Sequence, residues 1–94
     1  MIIVKHPDHE NRLHLIIYDT NLKGKVLDDG EKILDLSSKF YEGSDVQEEQ
    51  IINYFPMAFF IQAIGKEAVK LLQKYEKAET FEEIDGIPYM FLMR

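Results

Sequence analysis

The chain has 94 residues, neither cysteine nor tryptophan, and a formal net charge of −6 from 11 basic and 17 acidic side chains. Without cysteine it forms no disulfide framework, thiolate zinc site, iron–sulfur cluster or cysteine nucleophile. Area scaling gives roughly 5,700 Å² of folded surface against about 16,000 Å² for the open chain, so a real core is within reach. Apolar residues make up 46% and aromatic residues 12%, which points to one domain over 1–94 and away from disorder.

The apolar run at 2–4 is short and no small-residue cleavage site follows it, so no secretory signal is read there. The most apolar window, 55–64, falls far short of the ~20 residues that span a bilayer. A cytoplasmic, soluble protein with no membrane partner is expected. The acid excess argues against nonspecific nucleic-acid binding, which needs a basic surface, but leaves room for a local basic patch.

In chain order, 1–6 reads as a strand and 7–11, opening on Pro7, as a turn. Residues 12–19 form a second strand with Leu13, Leu15 and Ile17 on one face and Arg12, His14, Ile16 and Tyr18 on the other. Both faces are partly apolar, as in a central strand. Residues 25–27 and 32–36 pair as short strands around an Asp-Gly turn at Asp29-Gly30. The loop at 37–43 carries Phe40 and Tyr41. Ser44 or Asp45 caps a helix over 46–55, with Glu48 placed for a capping box and Val46, Ile51, Tyr54 and Phe55 as its apolar stripe. Pro56 opens a new turn, and 57–64 is apolar enough to be buried, as core or as interface. Gly65 breaks the chain before a clean amphipathic helix, Lys66–Tyr75. A strand at 81–84, an Asp85-Gly86 turn with positive φ at the glycine, and a strand at 89–93 close the chain. The class is α+β: a small antiparallel or mixed sheet of about five or six strands, with two or three helices packed on one face.

Several clusters carry polar chemistry. His6, Asp8, His9, Glu10 and His14 crowd the first hairpin, but no second ligand group matches them, and no metal or cofactor is expected. Lys23-Gly24-Lys25 lacks the GxxxxGK spacing of a phosphate loop. Phe40 reads as a staple holding its loop to the sheet, whereas Tyr41 suits either that role or base stacking. Residues 23–41 hold four lysines and four acids, so the local charge is zero. Glu48 and Glu49 suit a helix first turn, and Glu82 and Glu83 point to opposite faces of a strand. Neither pair forms an acid–base dyad, and nothing in the chain asks for catalysis.

Four stretches recur together: Asp19 with Leu22-Lys23-Gly24-Lys25; Leu34-Asp35-Leu36 with Phe40-Tyr41-Glu42-Gly43; Gly65-Lys66-Glu67-Ala68-Val69; and Ile84-Asp85-Gly86-Ile87-Pro88. In this order, from about residue 12 to the end, the chain resembles an uncharacterised archaeal family, the domain of unknown function four-two-four. It departs from that family in the aromatic middle segment (Phe55, Phe59, Phe60), in Tyr89-Met90 and in the short linker before Phe81. The resemblance implies an archaeal cytoplasmic protein with a small α+β fold and no assigned activity; a role near translation or RNA is an association only.

The functional expectation is a noncatalytic binding module for RNA or a ribonucleoprotein. Its candidate residues are Lys23, Gly24, Lys25, Lys39, Tyr41 and Gly43, on two motifs that flank one end of the 25–36 strand pair. The alternative is a protein–protein module or homodimer using apolar surface from 55–64; an enzyme on a small molecule ranks last.

Overall fold

The structure, a computed structural model, describes residues 1–76 and 82–94. Strands β1 (Ile2–Pro7) and β2 (Leu13–Tyr18) form an antiparallel hairpin, from the pair Ile2–Tyr18 to the pair Pro7–Leu13. Asp8 closes its turn. Its Oδ1 accepts from the Glu10 and Arg12 backbone N–H groups and its Oδ2 from Arg12 Nε at 2.8 Å. The Arg12 backbone bond heads the contacts that hold the Asp8 carboxyl below its ordinary range.

The remaining strands are β3 (Val26–Asp28), β4 (Ile33–Asp35), β5 (Ser44–Asp45), β6 (Ala58–Ile64), β7 (Glu82–Ile84) and β8 (Ile87–Met93). Six of them form one mixed sheet in the order β5-β1-β2-β6-β8-β7, and β3 and β4 form a separate two-stranded sheet. The class is thus α+β as read from the sequence, with a different membership: β3 and β4 leave the main sheet, while β5 and β6 enter it. Of the expected strand at 81–84, Phe81 lies outside the described residues.

The apolar segment at 57–64 becomes β6, parallel to β2 and antiparallel to β8. Pro56 sits in a 3₁₀ turn, Phe55–Met57, that precedes it. Between the pairs Leu13–Ala58 and His14–Phe60 the register shifts, leaving Phe59 as an extra residue. From there the alternation holds: Ile61 and Ala63 face one way, Phe60, Gln62 and Ile64 the other.

The helix expected over 46–55 is shorter. Helix α1 covers Glu48–Ile52, and Gln47, not Ser44 or Asp45, precedes it. Gln50, not Glu48, reaches back, its Oε1 accepting from the Gln47 N–H at 3.2 Å. Ser44 and Asp45 are instead drawn into the sheet as β5 against Ile2 and Ile3. Val46 N–H donates to Met1 O at 2.9 Å, and the terminal ammonium reaches Asp45 Oδ1 at 2.8 Å. Backbone committed to a sheet edge cannot open a helix.

Helix α2 (Lys66–Tyr75) follows its expected bounds and buries Ala68, Val69, Leu71 and Leu72. Together with Ile51 of α1 and Phe55 it covers one sheet face, against Ile3, Leu15, Ile17, Ile61, Ala63 and Met90. On the opposite face Leu22, Leu27 and Leu36 of the β3–β4 region pack on Ile2, Val4, Ile16, Tyr18, Ile64 and Ile84.

The β7–β8 turn has positive φ at both Asp85 (53°) and Gly86 (76°), the geometry of a two-residue hairpin loop. A methyl at Gly86 would meet no atom within 4 Å. Gly86→Ala is therefore expected to cost about 1 kcal/mol, from the dihedral alone. Urea denaturation checks it, and an unchanged midpoint would contradict it.

Candidate functional site

The β3–β4 hairpin covers only part of its sheet face. The alternation of β1, β2, β6 and β8 sends a row of unlike side chains to the uncovered part: His6 pairs with His14, His14 with Phe60, and Phe60 with Met93. Phe91 lies one row above, opposite Gln62, with Tyr89 opposite Ile64. The rings touch in sequence. His14 meets Phe60 edge-on with centroids 4.4 Å apart, Phe60 meets Phe91 at 5.7 Å, and Phe91 meets Tyr89 at 5.6 Å. Phe40, arriving from the loop, stacks on His6 at 4.5 Å and 19°. Much of this surface faces solvent: Phe40 is 44% exposed, Phe91 52% and Met93 66%.

Two sets of polar contacts frame the face. On the β1 side, His6 Nε2 lies 2.7 Å from Phe40 O, so that nitrogen carries the proton and donates it. Tyr18 Oη donates to Tyr41 O at 2.9 Å. These two bonds hold the 3₁₀ turn Lys39–Tyr41 against the sheet. At the β8 end, Lys32 Nζ donates to Glu83 O at 3.3 Å and lies 3.6 Å from Glu82 Oε2. Tyr89 Oη donates to Glu82 Oε2 at 2.6 Å, and that bond leads the causes that raise the Tyr89 hydroxyl pKa.

The residues singled out from the sequence lie on the two connections that flank the β3–β4 hairpin. Lys25 O accepts from Leu36 N–H at 2.8 Å, so the chain leaves the β3–β4 pair toward the 37–43 loop beside Lys25. Lys23 ends the 3₁₀ turn Thr20–Leu22, and its charge contributes to lowering the Asp45 pKa behind the larger effect of the terminal ammonium bond. Gly24 follows with a φ of 80°. Lys39 is exposed. Gly43 is a packing residue: a methyl there would overlap Ile3 O and fall 2.8 Å from Val4 Cγ2. Phe40 does not take the core role expected of it, and Tyr41, for which both roles stood open, takes the packed one. Phe40 is the exposed ring and Tyr41 the one packed on the core, because Tyr18 ties down the Tyr41 backbone. Burial raises the Tyr41 hydroxyl pKa, with the Gln62 side chain opposing.

Of the 55–64 segment, Phe55, Ala58, Ile61, Ala63 and Ile64 are buried core residues, while Met57 is 60% exposed and Phe59 and Phe60 are half-buried. Among the described residues no group of three or more His, Asp or Glu side chains could hold a metal ion, and no helix is long and apolar enough to cross a membrane.

The residues of this face that the sequence reading missed are Tyr89, Phe91 and Met93; Phe60 entered it only within the 55–64 segment of the alternative. The signal was present in β8, where period-two alternation puts Tyr89, Phe91 and Met93 on one side.

His14 lies in the middle of the row. Its Nε2 is buried and has no hydrogen-bond partner among the described residues. Burial first, then the His6 charge, push its pKa below the ordinary 6.5, against an opposing pull from Asp8. The neutral form is therefore favoured in the folded state, and its contribution is complete above the unfolded value. As pH falls through that value the unfolded chain takes up the proton first, and stability is lost. Urea midpoints are expected to fall between about pH 7 and 5, and to fall less for His14→Phe. Parallel slopes for the two proteins would contradict this.

Fold and face together define an α+β protein with a six-stranded mixed sheet, helices on one side and a partly open aromatic surface on the other. Such a fold has a solved counterpart: the chain is similar to an uncharacterised conserved protein from Methanopyrus kandleri, with a TM-score of 0.74 and 20% identity over 97% of this chain and 88% of that one. At that identity the likeness establishes the fold, which is thereby shared with an uncharacterised archaeal protein. No family model matches the chain and no curated protein matches it, so the resemblance to the domain of unknown function four-two-four has no matching model behind it.

Proposed function

We propose that the protein is a noncatalytic binding module whose open sheet face takes single-stranded RNA by stacking bases on aromatic side chains. The observation that carries this reading is the continuous string from Phe40 and His6 through His14 and Phe60 to Phe91 and Tyr89, with ring centroids 4.4–6.2 Å apart. Base–aromatic stacking tolerates any sequence, because every base has a π-face. Lys39, next to Phe40 in the chain, and Lys25 and Lys23 at the hairpin's open end are the cations placed to follow the backbone phosphates. In this reading Tyr41 and Gly43 position the Lys39–Phe40 turn and do not touch ligand. Membership of the resembled archaeal family, a cytoplasmic location and a place among translation components are proposed with it.

The test is fluorescence anisotropy with a labelled single-stranded RNA over a series of salt concentrations. Phe91 is exposed, so Phe91→Ala should leave the fold intact and weaken binding about tenfold. Changing Lys23, Lys25 and Lys39 together to Ala should flatten the salt dependence. RNA binding unmoved by Phe91→Ala, or no RNA binding at all, would overturn the reading.

One observation favours a protein partner instead: Phe91 and Met93 form an exposed apolar surface on a chain of net charge −6. A second copy seated there would appear as a concentration-dependent mass in sedimentation equilibrium, abolished by Phe91→Asp.

A further inference from the structure

His6 and His14 face each other across β1 and β2 at the Phe40 end of the aromatic face, and the two imidazoles are not equivalent. His14 Nε2 is closed off without a partner among the described residues. Burial first, and then the His6 charge, hold the His14 pKa below the ordinary 6.5. The pair therefore takes up one proton, and His6 carries it. His6 is half-buried. Its ring stacks on Phe40 at 4.5 Å, and its Nε2–H donates to Phe40 O at 2.7 Å. Its Nδ1 has no partner among the described residues and, unlike His14 Nε2, is not closed off from solvent.

A proton on Nδ1 gives the ring a full charge and a second donor, while Nε2–H keeps its bond to Phe40 O. The charge changes and the geometry does not. The carboxylates of the adjoining turn are engaged elsewhere. Asp8 holds Arg12 and two backbone N–H groups, and Glu10 lies 3.5 Å from Arg12 and 3.8 Å from His9. Lys5, on the same strand, donates to Tyr54 Oη at 3.2 Å. On the 39–41 turn, Lys39 is exposed and Tyr41 keeps its proton, burial having raised its pKa; exposed Glu42 ends that turn.

We infer that His6 is a proton-dependent phosphate contact, whose charged form donates from Nδ1 to a backbone phosphate of RNA that stacks a base at the Phe40 end of the face. The inference rests on the RNA reading and deepens it: beside Lys39, a second cation appears only in acid. The complex then holds a proton that the free protein lacks at neutral pH, so affinity rises as pH falls. A purely structural His6 would not produce this, because its bond to Phe40 O is present in both forms.

The experiment measures binding of labelled oligo(U), whose bases and phosphodiesters keep one charge state, from about pH 7.5 to 5.5, the interval in which imidazole titrates. Circular dichroism at each pH confirms the fold. Wild type should bind about fivefold more tightly at the acid end, with a salt dependence of log affinity steeper by about 0.7, the increment of one phosphate on a single strand. His6→Gln keeps a donor for Phe40 O and takes up no proton. It should bind within about twofold of wild type at the neutral end and lose both effects. His9→Gln, at the exposed tip of the same hairpin, should retain both. If wild-type affinity does not change with pH, or if His6→Gln keeps the change, the phosphate contact is wrong and the stacking face stands. If oligo(U) binds nowhere in the range, the RNA reading falls and the contact with it.

Discussion

Gly65→Ala should lower the unfolding free energy by about 3 kcal/mol or more. Two independent penalties meet at this residue. Its backbone sits at φ 104° and ψ 161°, a region that residues with a Cβ avoid. A methyl group there would also overlap the Asp19 carboxyl group, falling 2.6 Å from Oδ2 and 2.7 Å from Oδ1. The carboxylate cannot withdraw cheaply, because it is bonded to the start of α2. Nor can the chain shift, since Gly65 N–H donates to Pro88 O at 2.8 Å and Val69 N–H donates to Gly65 O at 2.9 Å. Urea denaturation measures the loss. Adding Asp19→Ala should relieve the overlap but not the dihedral strain, so the double variant should be more stable than the sum of the singles. A loss below about 1 kcal/mol for Gly65→Ala would show that the junction relaxes.

Local pattern carried much of the fold. The two-faced apolarity of 12–19 placed β2 centrally, and β1 and β6 indeed flank it. The stripe of Ala68, Val69, Leu72 and Tyr75 located α2, although Tyr75, at its last turn, is 48% exposed and not part of the core, and Asp85-Gly86 located the last turn. What was not legible had no local signature. Residues 58–64 are apolar and follow a proline, and such a run reads equally as a buried helix or a strand. Its identity as a strand comes from pairing in parallel with β2, some forty residues earlier, across a long connection. Strand β5 is two residues long and exists only because the edge of β1 is there to pair with it.

The candidate site was legible in fragments. His14 was on the correct side of β2 from alternation alone, and the strand pair between the 23–25 and 39–43 motifs did form. Their relation to a surface was not readable, because that surface is made by strand order. His14, Phe60 and Met93 come from three strands that are neighbours only in the folded sheet. Phe40 and Tyr41 show the same limit at single-residue scale. Which ring faces water was decided by a hydroxyl on β2, Tyr18, and by an imidazole on β1, His6.

Asp19→Ala should destabilise the protein by about 2–3 kcal/mol, although the residue lies nearly fifty positions before the helix it supports. The first N–H groups of a helix have no partner within it and are normally met by the side chain of the capping residue. At α2 that residue is Gly65, which has none. Asp19 supplies the missing acceptor from the end of β2: Oδ1 accepts from Ala68 N–H at 2.8 Å and Oδ2 from Glu67 N–H at 3.1 Å. Its own N–H donates to Ile64 O at 3.1 Å, tying β2 to the end of β6 just before the helix begins. Asp19 is only 7% exposed, so water cannot fully replace the carboxylate once it is removed. The negative charge also faces the positive end of the α2 dipole. Asn keeps one oxygen in place but loses the charge and the second acceptor, so Asp19→Asn should cost about half as much as Asp19→Ala. Both are read from urea unfolding, and hydrogen exchange at Glu67 and Ala68 should accelerate in the same order. If Asp19→Asn proves as costly as Asp19→Ala, the oxygen that Asn keeps contributes nothing and the charge with the second acceptor holds the junction; if neither moves stability, the helix start is held by other contacts.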